Sequence, residues 1–298
     1  MLVLTWAARI KSQSWSFKDT VSIGNVAHLR NLLSEIVPPL SGRSSDLPSP
    51  RYYPCYGPGY SFLFHTQTNS CLDPDGYDNY QAPMGPDGPL FLRRMWTGGL
   101  FDYVGASPAL DQVVECVDRV QAVRRMGSST FVSINRVFSG LEPFLRELRT
   151  LVYTNEPYTD TALKATKELE DLGSGATFGT PLNVFKTQFT LEQIMRYNFL
   201  TYNLHKIHYD ATYCRSQGLR DVVVSGPFMV LVLLHYFTSR FPDLAVRGFR
   251  YRNQRSCYIN TPVSLRIRGG NGEYDLKIVG DDVLCSGKLT ADVSSECP

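Results

Sequence analysis

The chain has 298 residues, 43% of them hydrophobic and 19% charged, the profile of a globular protein with one large core or two medium ones. Its net charge is +2, from 30 basic and 28 acidic residues, and it has no Lys/Arg block. That balance argues against nucleic acid or any other polyanion as a partner.

Residues 1–18 carry Arg9, Lys11 and Lys18 and no acid before Asp19. This composition suits a mitochondrial leader, and equally a solvated arm or first strand. From Asp19 to Ile36, Val26, Leu29, Leu32, Leu33 and Ile36 recur at helical spacing, and Pro38-Pro39 ends the pattern. The stretch from Pro39 to Pro89 is rich in Pro, Gly, Tyr, Ser and Asp. Its aromatic residues, Tyr52 to Phe64, read mainly as the packing of a long irregular connection.

Arg93-Arg94-Met95-Trp96-Thr97-Gly98-Gly99 comes next, followed by strand-like segments at Val113–Val120, Thr130–Val137 and Leu145–Tyr153. Residues 155–180 are polar, with a short helix candidate at Leu163–Leu172 and the breaker Gly173-Ser174-Gly175, and read as a linker. A strand at Phe185–Thr190 and a helix at Leu191–Leu200 follow.

The longest apolar run, Val222–Phe237, is interrupted by Ser225, Gly226, Pro227 and His235. It is shorter than the roughly 20 residues that span a bilayer, so no membrane span is expected. It reads as a buried helix from Pro227 to Phe241. Four strands, Ala245–Tyr251, Pro262–Arg268, Glu273–Val279 and Val283–Thr290, complete the chain. One long helix before an antiparallel meander is the pattern of a helix wrapped by a curved sheet, an α+β arrangement.

Two of the five histidines sit in Asn203-Leu204-His205-Lys206-Ile207-His208-Tyr209-Asp210, just before the Ser225-Gly226-Pro227 step. A histidine suits general acid/base work because its pKa lies near neutrality. Gly226 at a helix start offers a backbone N–H to a developing oxyanion, and its missing side chain lets a carbonyl oxygen come close. Pro227 fits the first helical turn, where its absent N–H costs nothing. A base and an oxyanion site without a nucleophile point to proton abstraction or water addition beside a carbonyl. No third metal ligand accompanies His205, His208 and Asp210 at convincing spacing. Seven dispersed cysteines without a Cys-x-x-Cys spacing read as reduced thiols, which also weighs against zinc.

The stretch Leu200–Asp210 resembles the hydratase motif of MaoC-like enoyl-thioester hydratases and dehydratases. It is most similar to the branch holding hydroxyacyl-thioester dehydratase type 2 and mesaconyl-C4-CoA hydratase. Arg93–Gly99 matches a second segment of that branch and Tyr251-Arg252-Asn253 a third, in the same order. The resemblance implies a double hotdog fold, two curved antiparallel sheets each wrapped around a central helix. A degenerate N-terminal hotdog (19–154) would shape an acyl tunnel, and a C-terminal catalytic hotdog (181–298) would follow the linker. It implies His208, Asn203 and Gly226 as catalytic residues, with His205, Ser225, Arg93, Trp96, Tyr251 and Arg252 at the substrate. It also implies no metal and no cofactor, CoA or an acyl carrier protein as the substrate's handle, and a homodimer.

Two positions carry their own expectations. Asn203 stands where the wider group has an aspartate, and an amide cannot take up a proton, so His208 would carry the transfer while Asn203 orients water or hydroxyl. Ser225 stands where the family usually has histidine, which fits a specialised paralogue of a fungal secondary-metabolite pathway. Three functions follow: a hydro-lyase on 3-hydroxyacyl and 2-enoyl thioesters, a repurposed hotdog enzyme for isomerisation or cyclisation, or a non-catalytic acyl-binding subunit. Mitochondrial and cytoplasmic locations both fit.

Overall fold

The computed structural model describes residues 2–39, 56–66, 68, 71–158 and 183–293. The candidate helix Leu163–Leu172, the Gly173–Gly175 breaker and most of the expected linker lie outside them.

Ten strands form one continuous antiparallel sheet in the order β1-β5-β6-β7-β4-β9-β12-β11-β10-β8. The first half supplies β1 (Ser14–Thr20), β4 (Arg93–Tyr103), β5 (Val113–Met126), β6 (Ser129–Ser139) and β7 (Pro143–Thr154). The second supplies β8 (Asn183–Thr187), β9 (Leu244–Asn253), β10 (Val263–Gly270), β11 (Glu273–Val279) and β12 (Val283–Val293). Read outward from the centre, the two halves repeat the same order, so β4 corresponds to β9 and β1 to β8. The halves join where β4 pairs with β9, for example Phe101 opposite Phe249. This is the α+β double hotdog.

The strands alternate as a half-buried sheet requires. β6 runs with every second residue buried, from Thr130 to Phe138, and β11 buries Tyr274, Leu276 and Ile278. β4 and β9 to β12 pack against α5 (Gly226–Arg240), whose Phe228 to Leu234, Tyr236 and Phe237 are all buried. Burying one such side chain contributes about 2 kcal/mol before conformational entropy is subtracted, so α5 anchors the second half.

Each half also has a helix directly after its first strand. α2 (Ile23–Ile36) is capped by Ser22, whose side chain accepts from the Asn25 N–H, and buries all five of the periodic apolar residues. α3 (Leu191–Thr201) starts with a capping box between Thr190 and Gln193. The counterpart of α5 in the first half would fall between α2 and β4. Among the described residues that interval holds only a 3-10 turn at Tyr60–Phe62 and a small hairpin of β2 (Met84–Gly85) and β3 (Gly88–Pro89).

The N-terminal boundary differs from the sequence-based one. Ser14–Thr20 is the edge strand of the sheet, pairing with β5 from Ser14 opposite Arg119 to Thr20 opposite Val113. A boundary after Lys18 would cut this strand. Before it, α1 (Leu2–Lys11) buries Trp6 and Ile10 against Val120, Val132, Ile134, Leu151 and Tyr153. Arg93–Gly99 is likewise the first part of β4. No described helix is long and apolar enough to cross a membrane.

Candidate active site

α3 ends with Tyr202 in the left-handed region (φ 53°), and its reversal lets the Asn203 N–H bond the Asn198 carbonyl at 3.0 Å. The Asn203 Oδ1 then accepts from the His205 N–H at 3.1 Å, tightening the turn that leads into a 3-10 segment at Lys206–His208. Asp210 closes the cluster as the N-cap of α4 (Ala211–Ser216), accepting from the Tyr213 N–H at 2.8 Å. Asp210 is therefore committed to a cap, and no group of three potential metal ligands occurs among the described residues.

The His208 ring is held by one bond. Its Nδ1 lies 2.7 Å from the Val223 carbonyl, which can only accept, so Nδ1 carries the proton and Nε2 keeps a bare lone pair. Burial, with His205 adding to it, pushes the ring's pKa down to about 3. The imidazole is thus neutral throughout the physiological range, rather than poised near neutrality as its intrinsic value suggests.

His205 is positioned from the first half of the chain. Its Nε2 sits 3.3 Å from Asp75 Oδ2, an ion-pair distance without hydrogen-bond alignment, and its ring meets Tyr77 edge-on at 5.4 Å. Asp75 in turn pairs with Arg94 Nη2 at 3.1 Å, and the same nitrogen bonds Asp73 at 2.6 Å. Burial alone would raise the Asp75 carboxyl, but His205 and Arg94 hold it well below the usual carboxylate range. Burial pushes the His205 ring down against the pull of Asp75. The Asp73–Tyr77 segment is docked by its backbone, with the Lys206 N–H on the Asp75 carbonyl at 2.8 Å. Gly76 is required there: its φ is 85°, and a Cβ would lie 2.1 Å from the Leu204 carbonyl oxygen.

Opposite this cluster, α5 begins at Gly226. Its first main-chain bond is from the Met229 N–H to the Ser225 carbonyl, which leaves the Gly226 and Phe228 N–H groups ahead of the helical ladder. Ser225 occupies the N-cap position without making a capping bond, and its buried Oγ has no partner among the described residues. Asn253 lies directly against Gly226, so that a Cβ at that glycine would stand 2.3 Å from Asn253 Nδ2. That Nδ2 donates to the Trp96 carbonyl at 2.9 Å, and the buried Oδ1 is left unpartnered.

Asn203, His205, His208, Ser225, Gly226, Arg94 and Trp96 all line one cavity of about 260 Å³. Arg93, Tyr251 and Arg252 are not among the residues lining it. Arg93 instead donates to the Asn155 carbonyl at 2.9 Å. Tyr251 is buried in the core, where its hydroxyl receives the Trp96 Nε1–H at 3.0 Å and so orients a wall residue. Arg252 is half-buried on β9, opposite Gly98. Two residues that the sequence reading did not place at the site adjoin it, Asp75 by its contact with His205 and Asn253 in the cavity lining itself. Asp75 gave no signal inside a loop rich in Asp and Gly, whereas Asn253 closes the Tyr-Arg-Asn match.

The family model "Hydroxyacyl-thioester dehydratase type 2" matches residues 59–259. The mitochondrial hydroxyacyl-thioester dehydratase type 2 of Saccharomyces cerevisiae is 30% identical over 285 residues, covering 90% of this chain and 94% of the yeast protein. Mesaconyl-C(4)-CoA hydratase of Chloroflexus aurantiacus is 33% identical over 90 residues, 30% of this chain and 32% of that protein. Among solved structures, a MaoC-like dehydratase from Phytophthora capsici superposes with a TM-score of 0.67 at 13% identity, covering 97% of this chain and 98% of that one. The chain belongs to the hydroxyacyl-thioester dehydratase type 2 family.

Proposed function

We propose that the chain catalyses reversible dehydration of 3-hydroxyacyl thioesters, with His208 as the single proton carrier and the Gly226 N–H as the oxyanion site. The carrying observation is that one cavity holds both a neutral imidazole with a bare Nε2 and the N-terminus of a buried helix. In the dehydration direction, Nε2 takes the proton from the carbon beside the thioester carbonyl. The electron pair of that bond moves into an enolate, whose oxygen rests on the Gly226 N–H at the positive end of α5. Re-forming the carbonyl pushes out the hydroxyl on the β carbon. The imidazolium returns its proton to that oxygen, giving water and a 2-enoyl thioester. Because one nitrogen serves both steps, proton and hydroxyl leave from the same face. Asn203, with its Oδ1 held by the His205 N–H, has Nδ2 left to orient the leaving hydroxyl. No step calls for a cofactor, since a side chain and the substrate supply every proton and electron pair.

The thioester handle is CoA or an acyl carrier protein, and the yeast relative's printed name favours a mitochondrial over a cytoplasmic location. Ser225 supports a specialised acyl substrate, because its unpartnered hydroxyl replaces an imidazole beside the thioester. The test is incubation with crotonyl-CoA and with a 3-hydroxyacyl-CoA, following enoyl-thioester absorbance. Turnover in both directions supports the reading. Folded protein with no change in either direction rejects it.

A further inference from the structure

The cavity does not stop at the catalytic groups. It continues past Asn253 and Trp96 into the first half, where Gln81, Asp118, Arg136, Arg149 and His65 form its wall. The path is continuous in contacts. The Arg149 guanidinium lies 4.8 Å from the Trp96 ring centroid and pairs with Glu147. Arg136 bonds Glu147 at 3.4 Å and Asp118 at 2.7 Å, and Gln81 donates to Asp118 at 3.2 Å. This is the region where the second half has α5. Two guanidiniums are matched there by two carboxylates, so the wall is polar without a net charge. Phe62, Ile134 and Leu151 line the cavity as well, so a chain entering it meets both apolar and polar groups.

His65 is the one of these wall residues with an unmet buried acceptor. Its side chain belongs to a residue only 2% exposed, in the left-handed region at φ 61°. Two charge-assisted bonds fix that backbone: its N–H donates to Asp19 Oδ2 at 3.0 Å, and its carbonyl accepts from Arg136 Nη2 at 3.0 Å. The ring packs edge-on against Phe138 at 5.2 Å. Nε2 lies 2.9 Å from the Val114 carbonyl and must be the protonated nitrogen. Burial holds the ring neutral, with its pKa below the ordinary value. Nδ1 is therefore a bare acceptor, buried and without a partner among the described residues.

We infer that the acyl chain accepted by this enzyme carries a hydroxyl at the end remote from the thioester, and that His65 Nδ1 receives its proton in a hydrogen bond. The inference rests on the dehydratase reading and names its substrate class. A site built to bind a hydroxyl discriminates strongly against the analogue lacking it, because the buried acceptor is then left unpaired.

The test uses pairs of 2-enoyl-CoA substrates matched in chain length, one ending in a methyl and one in a hydroxyl, with crotonyl-CoA as control. For the wild-type enzyme, kcat/KM should favour the hydroxyl member by about tenfold or more at the best chain length. In a His65→Phe variant the ratio should fall to about one. A wild-type ratio near one, or one favouring the methyl, overturns the inference, and it is the result expected if a water satisfies Nδ1. A hydroxyl preference that survives in folded His65→Phe overturns it too, by removing His65 as the receiver. The wild-type ratio decides the matter if the variant does not fold. Turnover of crotonyl-CoA without a hydroxyl preference rejects only the substrate class, whereas turnover of no substrate at all rejects the dehydratase reading together with it.

Discussion

His208 gives its Nδ1–H to the Val223 carbonyl at 2.7 Å, and this one bond decides which ring nitrogen is left for chemistry. Val223 owes its place to a strand-like bridge with Tyr258 and to its own N–H on the Ile207 carbonyl at 3.0 Å. The proposed base is thus oriented by main chain on both sides. His208→Ala should lower kcat by about 10²–10⁴-fold, the usual span for a lost general base. Substrate binding should persist, because the Gly226 N–H and the cavity walls remain. Stopped-flow turnover together with binding of a non-hydrolysable acyl-CoA analogue checks both halves of this expectation.

Buried histidines also set the acid sensitivity of the fold. Burial lowers His208 to about 3 and His235 to about 4 from 6.5, and it lowers His65 and His205 as well. Below pH 6.5 the unfolded chain takes up protons that the native state refuses, so stability falls as pH drops from 6.5 toward 4. His208 and His235 each cost about 1.4 kcal/mol per pH unit in that window, and His65 and His205 act in the same direction. Asp78 works in the opposite direction: burial raises it to about 6, so between pH 6 and 3.8 the native state binds its proton more readily. One carboxyl offsets one histidine, and the remainder still destabilises. Urea unfolding at pH 7 and pH 5 should show a clear loss of stability at the lower value, and an unchanged midpoint would contradict it.

The second half was legible in the sequence because its elements are buried on a regular period. α5 is apolar on nearly every side, and β10 to β12 alternate, so strand ends moved by only a few residues. β1 was legible only as one of several readings of residues 1–18: Ser-Trp-Ser-Phe-Lys-Asp-Thr alternates exposed and half-buried residues, but this short edge strand buries none of them fully. β4 was hidden by Gly98-Gly99, which break the strand pattern. At the site, His208, Gly226 and Asn203 were found because they are close in sequence and match a motif. Asp75 was missed because its partnership with His205 exists only after the first half folds over the second. Tyr251 and Arg252 match the same motif set but lie off the cavity lining, since a motif match carries no information about which way a strand residue points.

Gly226 and Asn253 are coupled by contact. Gly226→Ala places a Cβ where Asn253 Nδ2 now lies 2.3 Å away, so either the helix start or the amide must move. Displacing the N–H proposed as the oxyanion site should cost about 10²–10³-fold in kcat. Asn253→Ala removes the obstacle, so the double variant should recover part of that loss, a clear departure from additivity. Four kinetic measurements, of wild type, both single variants and the double variant, give the coupling directly. Strictly additive losses would show that the amide does not constrain the helix start.

Arg94 carries the polar support of the site. Its guanidinium holds Asp73 and Asp75, donates to the Asp78 carbonyl at 2.8 Å and stacks on Tyr77 at 4.5 Å. Arg94→Met keeps much of the volume but leaves two buried carboxylates without their cation. Breaking a buried pair in this way typically costs about 3–5 kcal/mol. Protonating the stranded carboxylates would recover part of that cost, so the deficit should shrink as pH falls through the carboxylate range. A double replacement, Arg94→Met with Asp75→Asn, should be less unstable than Arg94→Met alone at pH 7. Thermal unfolding of the three proteins at pH 7 and pH 5 separates this electrostatic origin from a packing defect, which would be equally costly at both values.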